Sequence, residues 1–323
     1  MQSWLLYLFF LFIVLNAVFN SITLNNLNNR GIDVGLYESP GGSGDVNSSM
    51  SKSVNHSFRW KLHHPDTFKE EKVHYNPTNT SLAELSSSSL SSTSDLWGTD
   101  TTTYFDQGTW GSCTAFAMKY ALKLYAKATT YTPNEISAAF IYAESRKYAH
   151  LNVASDSGST NAATAFIVQN VGVISEDQMP YWACNIFKNP SVLLGSSLGS
   201  PSNKVTFTRF NFARTPELNL TNLKTLLNVK PIIVAILMYN SSLTNAVMVS
   251  GQIPMPSAAD LKSGPAGAHA VCISGYTDTS FIFRNSWGTD VGIKGSFFLP
   301  YKYLTSLNAK GLMSYVSDAW YYV

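Results

Sequence analysis

Apolar residues run almost without interruption from Trp4 to Ile22, and no charged side chain precedes Arg30. A segment that is apolar on every face and close to the length of a bilayer crossing reads as a membrane-directed leader. A cleaved signal peptide and an uncleaved signal-anchor both fit. The segment lacks a basic start and a small-residue cleavage site, its length suits an anchor, and the two readings stand side by side. From Thr23 to Asp95 the pattern dissolves into Asn, Ser and Gly, with serine filling nearly all of 86–94. Such composition predicts a flexible low-complexity region. One patch, Phe58 to Asp66, is aromatic and basic enough to dock as a short pro-segment.

Periodicity returns near Leu96. Beyond Cys113, the positions Ala115, Phe116, Met118, Ala121, Leu122 and Tyr125 recur at helical spacing. Thr132-Pro133-Asn134-Glu135 reads as a capping box opening a second helix through Phe140 and Tyr142 toward Tyr148. A third helix follows Ser159 and closes at Gly172. The period then changes. Residues 204–214 alternate, and Thr215-Pro216-Glu217 predicts a short helix through Leu227. Strands are predicted at 231–239, 269–276, 281–285 and 296–299, with 312–323 closing the sheet. Helices followed by strands in one unit predict an α+β fold. The expected division is 1–23 as leader, 24–95 as linker or pro-segment, and 96–323 as the functional domain.

Composition narrows the function. A net charge of +2 over 323 residues leaves no electrostatic footprint for nucleic acid. The three cysteines, Cys113, Cys184 and Cys272, do not make a disulfide scaffold. Cys184 and Cys272 are expected to serve as buried packing residues. No Cys/His spacing fits zinc, so no metal or organic cofactor is expected.

The chemistry concentrates in Gln107-Gly108-Thr109-Trp110-Gly111-Ser112-Cys113. A cysteine at the first turn of a helix meets unpaired N–H groups and the positive end of the dipole, which favour its thiolate. Gln107 supplies an amide able to donate to a developing oxyanion. His269 opens an apolar strand, and Asn285 follows in Arg284-Asn285-Ser286-Trp287-Gly288. Nucleophile, base and an amide that orients the base make a complete set for covalent catalysis, with a thiolate–imidazolium pair expected at rest. His269 lies 156 residues after Cys113, and Asn285 lies 172 after it.

These segments, in this order, resemble the papain-like cysteine peptidases. The resemblance rests on QGTWGSCTAFA at 107–117, DSGS at 156–159, VGVISEDQMPY at 171–181, LKTLLNVKPIIVAI at 223–236, GAHAVCISGY at 267–276 and NSWGTDVGIKGSFFLPYKYL at 285–304. The Cys-Thr-Ala step and the last run look more like the bacterial and viral branch than the animal lysosomal enzymes. The resemblance implies a helical left lobe, an antiparallel β-barrel right lobe, and a cleft between them. It implies that Cys113, His269, Asn285 and Gln107 are catalytic. Gly158, Ser157, Gly111, Ala268 and Trp287 would line the substrate. Trp287 would also shield the His269–Asn285 bond, and Ala268 replaces an acidic residue frequent at that place. The expected activity is peptide hydrolysis through a thioester. A membrane-tethered binding module on the same fold, or an acyl transferase, would use the same residues differently. The expected partner is a peptide or protein substrate, in the secretory pathway or at a membrane through residues 4–22.

Overall fold

The computed structural model describes residues 90–129, 135–156, 158–182, 205, 207–209, 219–307 and 314–322. The leader, the Asn/Ser-rich region up to residue 89, Cys184 and Ser157 lie outside them. Among the described residues, no helix is long and apolar enough to cross a membrane.

Helix α1 spans Cys113–Ala128 and buries Cys113 to Leu122 without a break. It is hydrophobic on nearly all sides because helices pack on one flank and the sheet on the other. Helix α2, Ala138–Tyr148, starts later than the sequence predicts. Its N-cap is Ser137, whose hydroxyl accepts from the Phe140 N–H at 3.1 Å and donates to the Met179 carbonyl at 2.6 Å. Glu135 is not the capping partner. Its carboxylate is drawn to Lys119 at 2.9 Å and Lys123 at 3.1 Å on α1, and Ile136 pairs with Ser175 as an isolated bridge. A cation in a buried setting outcompetes a helix terminus for that carboxylate. Helix α3, Asn161–Phe166, is capped by Thr160 and runs into a π turn at Ile167–Val171 that ends at Gly172, φ 101°.

The sheet order is β2-β7-β3-β4-β5-β6, with β1 on the far part of β4. The strands are β1 (Ser94–Asp95), β2 (Phe207–Arg209), β3 (Ile232–Met238), β4 (Gly267–Tyr276), β5 (Ser280–Arg284), β6 (Ser296–Pro300) and β7 (Val316–Tyr322), every neighbouring pair antiparallel. Helix α4, Leu220–Leu227, is capped by Asn219, whose side chain accepts from the Asn222 N–H at 2.8 Å; the start expected at 215–217 lies outside the described residues. Two short helices that periodicity missed, α5 (Asn245–Ser250) and α6 (Ala258–Ser263), fill the β3–β4 connection. A last turn, α7, covers Lys302–Thr305.

The alternation along β4 divides the core. Ala270 and Cys272 belong to the cluster formed with α1, α2 and α3, while Val271 and Ile273 belong to the sheet's own cluster with β5 and β6. The two clusters correspond to the two expected lobes, and β4 is shared between them. Cys272 is a buried free thiol, as its apolar neighbours predict.

Candidate active site

Strand β4 and helix α1 meet where their first residues lie. The Ala270 N–H points at the Cys113 sulfur at 3.5 Å. His269, one residue earlier, has the parity of Val271 and lies against the other cluster. It stacks on Trp287 with ring centroids 4.8 Å apart and planes 22° from parallel. Its Nε2 meets the Asn285 Oδ1 at 2.8 Å. That oxygen also accepts from the Ser286 N–H at 2.8 Å, which fixes the amide's orientation. The oxygen toward the ring makes Nε2 the protonated nitrogen of a neutral imidazole, and Nδ1 the basic one. Cys113 is 7% exposed, and His269 and Asn285 are 1% exposed.

Gln107 extends this set of contacts. The Ser286 hydroxyl donates to its Oε1 at 2.5 Å, its backbone N–H donates to the Ser286 carbonyl at 2.9 Å, and its Nε2 donates to the Trp110 carbonyl at 2.8 Å. The amide is thereby pinned between the nucleophile loop and the residue after Asn285. Tyr181, which the sequence did not single out, donates to the Gln107 carbonyl at 2.8 Å and shares a 2.6 Å bond with the Ser112 hydroxyl. Ser112 is therefore occupied and makes no side-chain cap on α1. The Cys113 and Thr114 N–H groups remain for the sulfur, while those of Ala115 and Phe116 go to the Ser112 carbonyl. Gly108 holds φ 57°, and a Cβ there would reach within 2.4 Å of the Trp182 ring. Only glycine fits that turn.

Burial dominates the electrostatics of both groups. Burial pushes the Cys113 thiol up to about 11; the Ala270 and Thr114 N–H groups oppose the rise and the Asp156 charge adds to it. Burial pulls the His269 imidazole down to about 4, against the Asn285 bond. One cause acts on both groups, because a closed site disfavours each charged form. Burial thus works against the separately charged form of each group, so a resting ion pair forms only as a coupled pair. The Thr114 and Cys113 N–H groups at the helix tip lower the thiol's pKa, against the larger effect of burial.

Across the nucleophile loop lies the 156–159 segment. The Gly111 N–H donates to Asp156 Oδ2 at 2.9 Å and Oδ1 at 3.1 Å. Gly158 is left-handed, φ 73°, and its N–H donates to the Tyr142 hydroxyl at 3.1 Å. Ala268 is half-buried beside Leu237 on β3. Asp156 and Tyr142 were missed as site residues. The only sequence signal was an acidic side chain at the head of DSGS. Among the described residues no three metal-ligating side chains cluster.

A thiol at a helix tip, an imidazole from a facing strand and an amide behind it define a cysteine peptidase. The profile described as papain family cysteine protease matches residues 93–315, and the chain belongs to that family. Over 222 residues it is 29% identical to an uncharacterized peptidase C1-like protein of Acanthamoeba polyphaga mimivirus, covering 67% of this chain and 68% of that one. Among solved structures it is similar to xylellain, a cysteine protease from Xylella fastidiosa, at 28% identity and TM-score 0.57, covering 72% of this chain and 86% of that one. A Carica candamarcensis cysteine protease, solved in complex with E-64, shares the fold at 18% identity and TM-score 0.52, covering 72% of this chain and 99% of that chain.

Proposed function

We propose that this peptidase cleaves peptide bonds through a thioester on Cys113. The observation that carries the proposal is a linked set of contacts: the Ala270 N–H on the Cys113 sulfur, the adjacent His269 held by Asn285, and Asn285 joined through Ser286 to Gln107. In the free enzyme the proton rests on sulfur. As the scissile carbonyl enters, sulfur attacks its carbon and the thiol proton passes to Nδ1 of His269. Asn285 steadies the imidazolium through Nε2. The oxyanion takes hydrogen bonds from the Cys113 N–H and from the second Nε2 hydrogen of Gln107, the first being held by Trp110. The C–N bond then breaks, and His269 returns the proton to the departing amine. Water attacks the thioester with His269 as base, which releases the acid and restores the thiol.

Gly158, Gly111, Ala268 and Trp287 flank this centre on the substrate side. With its N–H given to Tyr142, Gly158 offers a substrate its carbonyl rather than its amide. From the apolar run at 4–22 we infer further that the peptidase is exported or membrane-tethered. Sedimentation of the full chain with membranes, lost on deletion of 4–22, tests that inference.

The test of the mechanism is turnover of a peptide library by the full chain and by Cys113→Ala, with E-64 as the active-site probe. Turnover and labelling that vanish together in Cys113→Ala support the thioester. Turnover surviving in Cys113→Ala would falsify it. Labelling of Cys113 with no hydrolysis of any peptide would favour a binding module, and ligation to an added amine would favour acyl transfer.

A further inference from the structure

Cys113 and Cys272 are free thiols, so among the described cysteines no covalent bond braces the nucleophile loop. Something else holds that loop against the 156–159 segment, because the two backbones nearly touch. A Cβ built on Gly111 would lie 3.2 Å from the Asp156 Oδ1 and 3.4 Å from the Gly158 Cα. The brace is polar and passes through one carboxylate. Asp156 accepts the Gly111 N–H with both oxygens and also accepts the hydroxyl of Tyr142. That same hydroxyl accepts the Gly158 N–H. Tyr142 is wholly buried on α2, so the hydroxyl is anchored in the core. Arg146, one turn further along α2, packs over the Tyr142 ring at 4.9 Å and donates to the carbonyls of Asn152 and Ser155, just ahead of Asp156. Ser145 and Ser159 share a 2.7 Å bond on the far side of Gly158.

We propose that Asp156 is a positioning residue of this peptidase: its carboxylate, backed by Tyr142, sets the spacing between the loop that carries Cys113 and the glycine that faces the substrate backbone. This proposal rests on the catalytic reading above. Its physical content is twofold. The brace fixes where a bound peptide lies relative to the sulfur, and misplacement of about 1 Å can cost a hundredfold in rate. The carboxylate also stands as a fixed negative charge across from the nucleophile, where it opposes formation of the thiolate. The charged and titratable groups around that thiol are His269 on β4, Tyr181 against the loop, with Asp106 near Tyr181, and Asp156 itself. Arg146 and Tyr142 stand behind Asp156.

Position and charge predict effects of opposite sign, and that separates them from simple damage. In Asp156→Asn the acceptor survives and the charge goes. Alkylation of Cys113 by iodoacetamide is expected to gain about threefold or more in rate near neutral pH, with its midpoint at lower pH. Peptide kcat/KM is expected to fall a few-fold. In Asp156→Ala the brace goes too, and kcat/KM is expected to fall about 10- to 100-fold while alkylation stays at least as fast as in the native enzyme. Tyr142→Phe, which keeps the charge, is expected to lower kcat/KM without moving the alkylation midpoint. The proposal is overturned if folded Asp156→Asn shows an unchanged alkylation profile and unchanged kcat/KM, or if alkylation and turnover fall together. If Cys113→Ala still turns over peptide, the catalytic reading fails first. If Cys113→Ala is inactive and Asp156→Asn behaves as native, only the brace fails.

Discussion

The hydroxyl of Tyr120 donates to the backbone carbonyl of Asn285 at 3.1 Å, two turns along the helix that begins at Cys113. The same oxygen accepts the Phe105 N–H at 2.8 Å. One phenol thus ties the nucleophile helix to the residue that orients the histidine, and to the segment leading into Gln107. Tyr120→Phe removes both bonds and leaves a buried carbonyl and a half-buried N–H without them. The expected cost is about 1–3 kcal/mol of stability. A drop in kcat at nearly constant KM is expected beside it, measured by urea unfolding and steady-state kinetics.

The pH dependence follows from the two displaced pKa values. The proposed mechanism needs Nδ1 of His269 unprotonated to receive the thiol proton and one proton in the pair to give to the leaving amine. The acid limb of kcat/KM is therefore expected near 4 rather than at the ordinary imidazole value, and the alkaline limb near 11. An acid limb at 6 to 7 would show that His269 is not held neutral by burial.

The same histidine contributes to acid sensitivity of the fold. Its folded pKa is depressed from 6.5 to about 4, so the unfolded chain binds the proton first. Above about 6.5 neither state is protonated and stability is unaffected. As pH falls from 6.5 to about 4 the unfolded state gains about 3 kcal/mol relative to the native one. Unfolding free energies of the native chain and of His269→Asn, compared at pH 7 and pH 4.5, should show the larger loss in the native chain.

Trp287 covers the His269–Asn285 bond by stacking on the imidazole and meeting Phe297 edge-on at 5.8 Å. Trp287→Ala should admit water to that bond and open a cavity in the sheet's cluster. A loss of about 3–5 kcal/mol in stability is expected. The His269 pKa should rise toward its ordinary value, readable as a shift of the acid limb. Trp287→Phe should recover most of both.

The start of the domain is testable as well. Ser94–Asp95 pairs with Gly275–Tyr276, and Asp95 accepts from the Ser274 hydroxyl at 2.9 Å. A Cβ on Gly275 would meet the Ser94 carbonyl oxygen at 2.1 Å, so Gly275→Ala should undock β1. A loss of about 1–3 kcal/mol is expected in thermal melts. In a chain beginning at Leu96 the same substitution should cost almost nothing, since the partner strand is gone.

The sequence determined the elements whose signal is local. The apolar period after Cys113, the Gly172 stop and the Ile/Val runs of β3 and β4 each fix a backbone state through contacts a few residues away. The fragments around Cys113, His269 and Asn285 determined the family and the chemistry. The tertiary structure decided what depends on neighbours remote in the chain. It capped α2 at Ser137, with Glu135 paired instead to Lys119 and Lys123 on α1. It set burial against the helix tip at Cys113 and against the Asn285 bond at His269, because both groups are enclosed by the fold. It gave Asp156 and Tyr142 a place at the site, because only folding brings Gly111 and Gly158 within contact. Period and capping are written in adjacent residues. Desolvation and long-range hydrogen bonds exist only once the lobes have closed on one another.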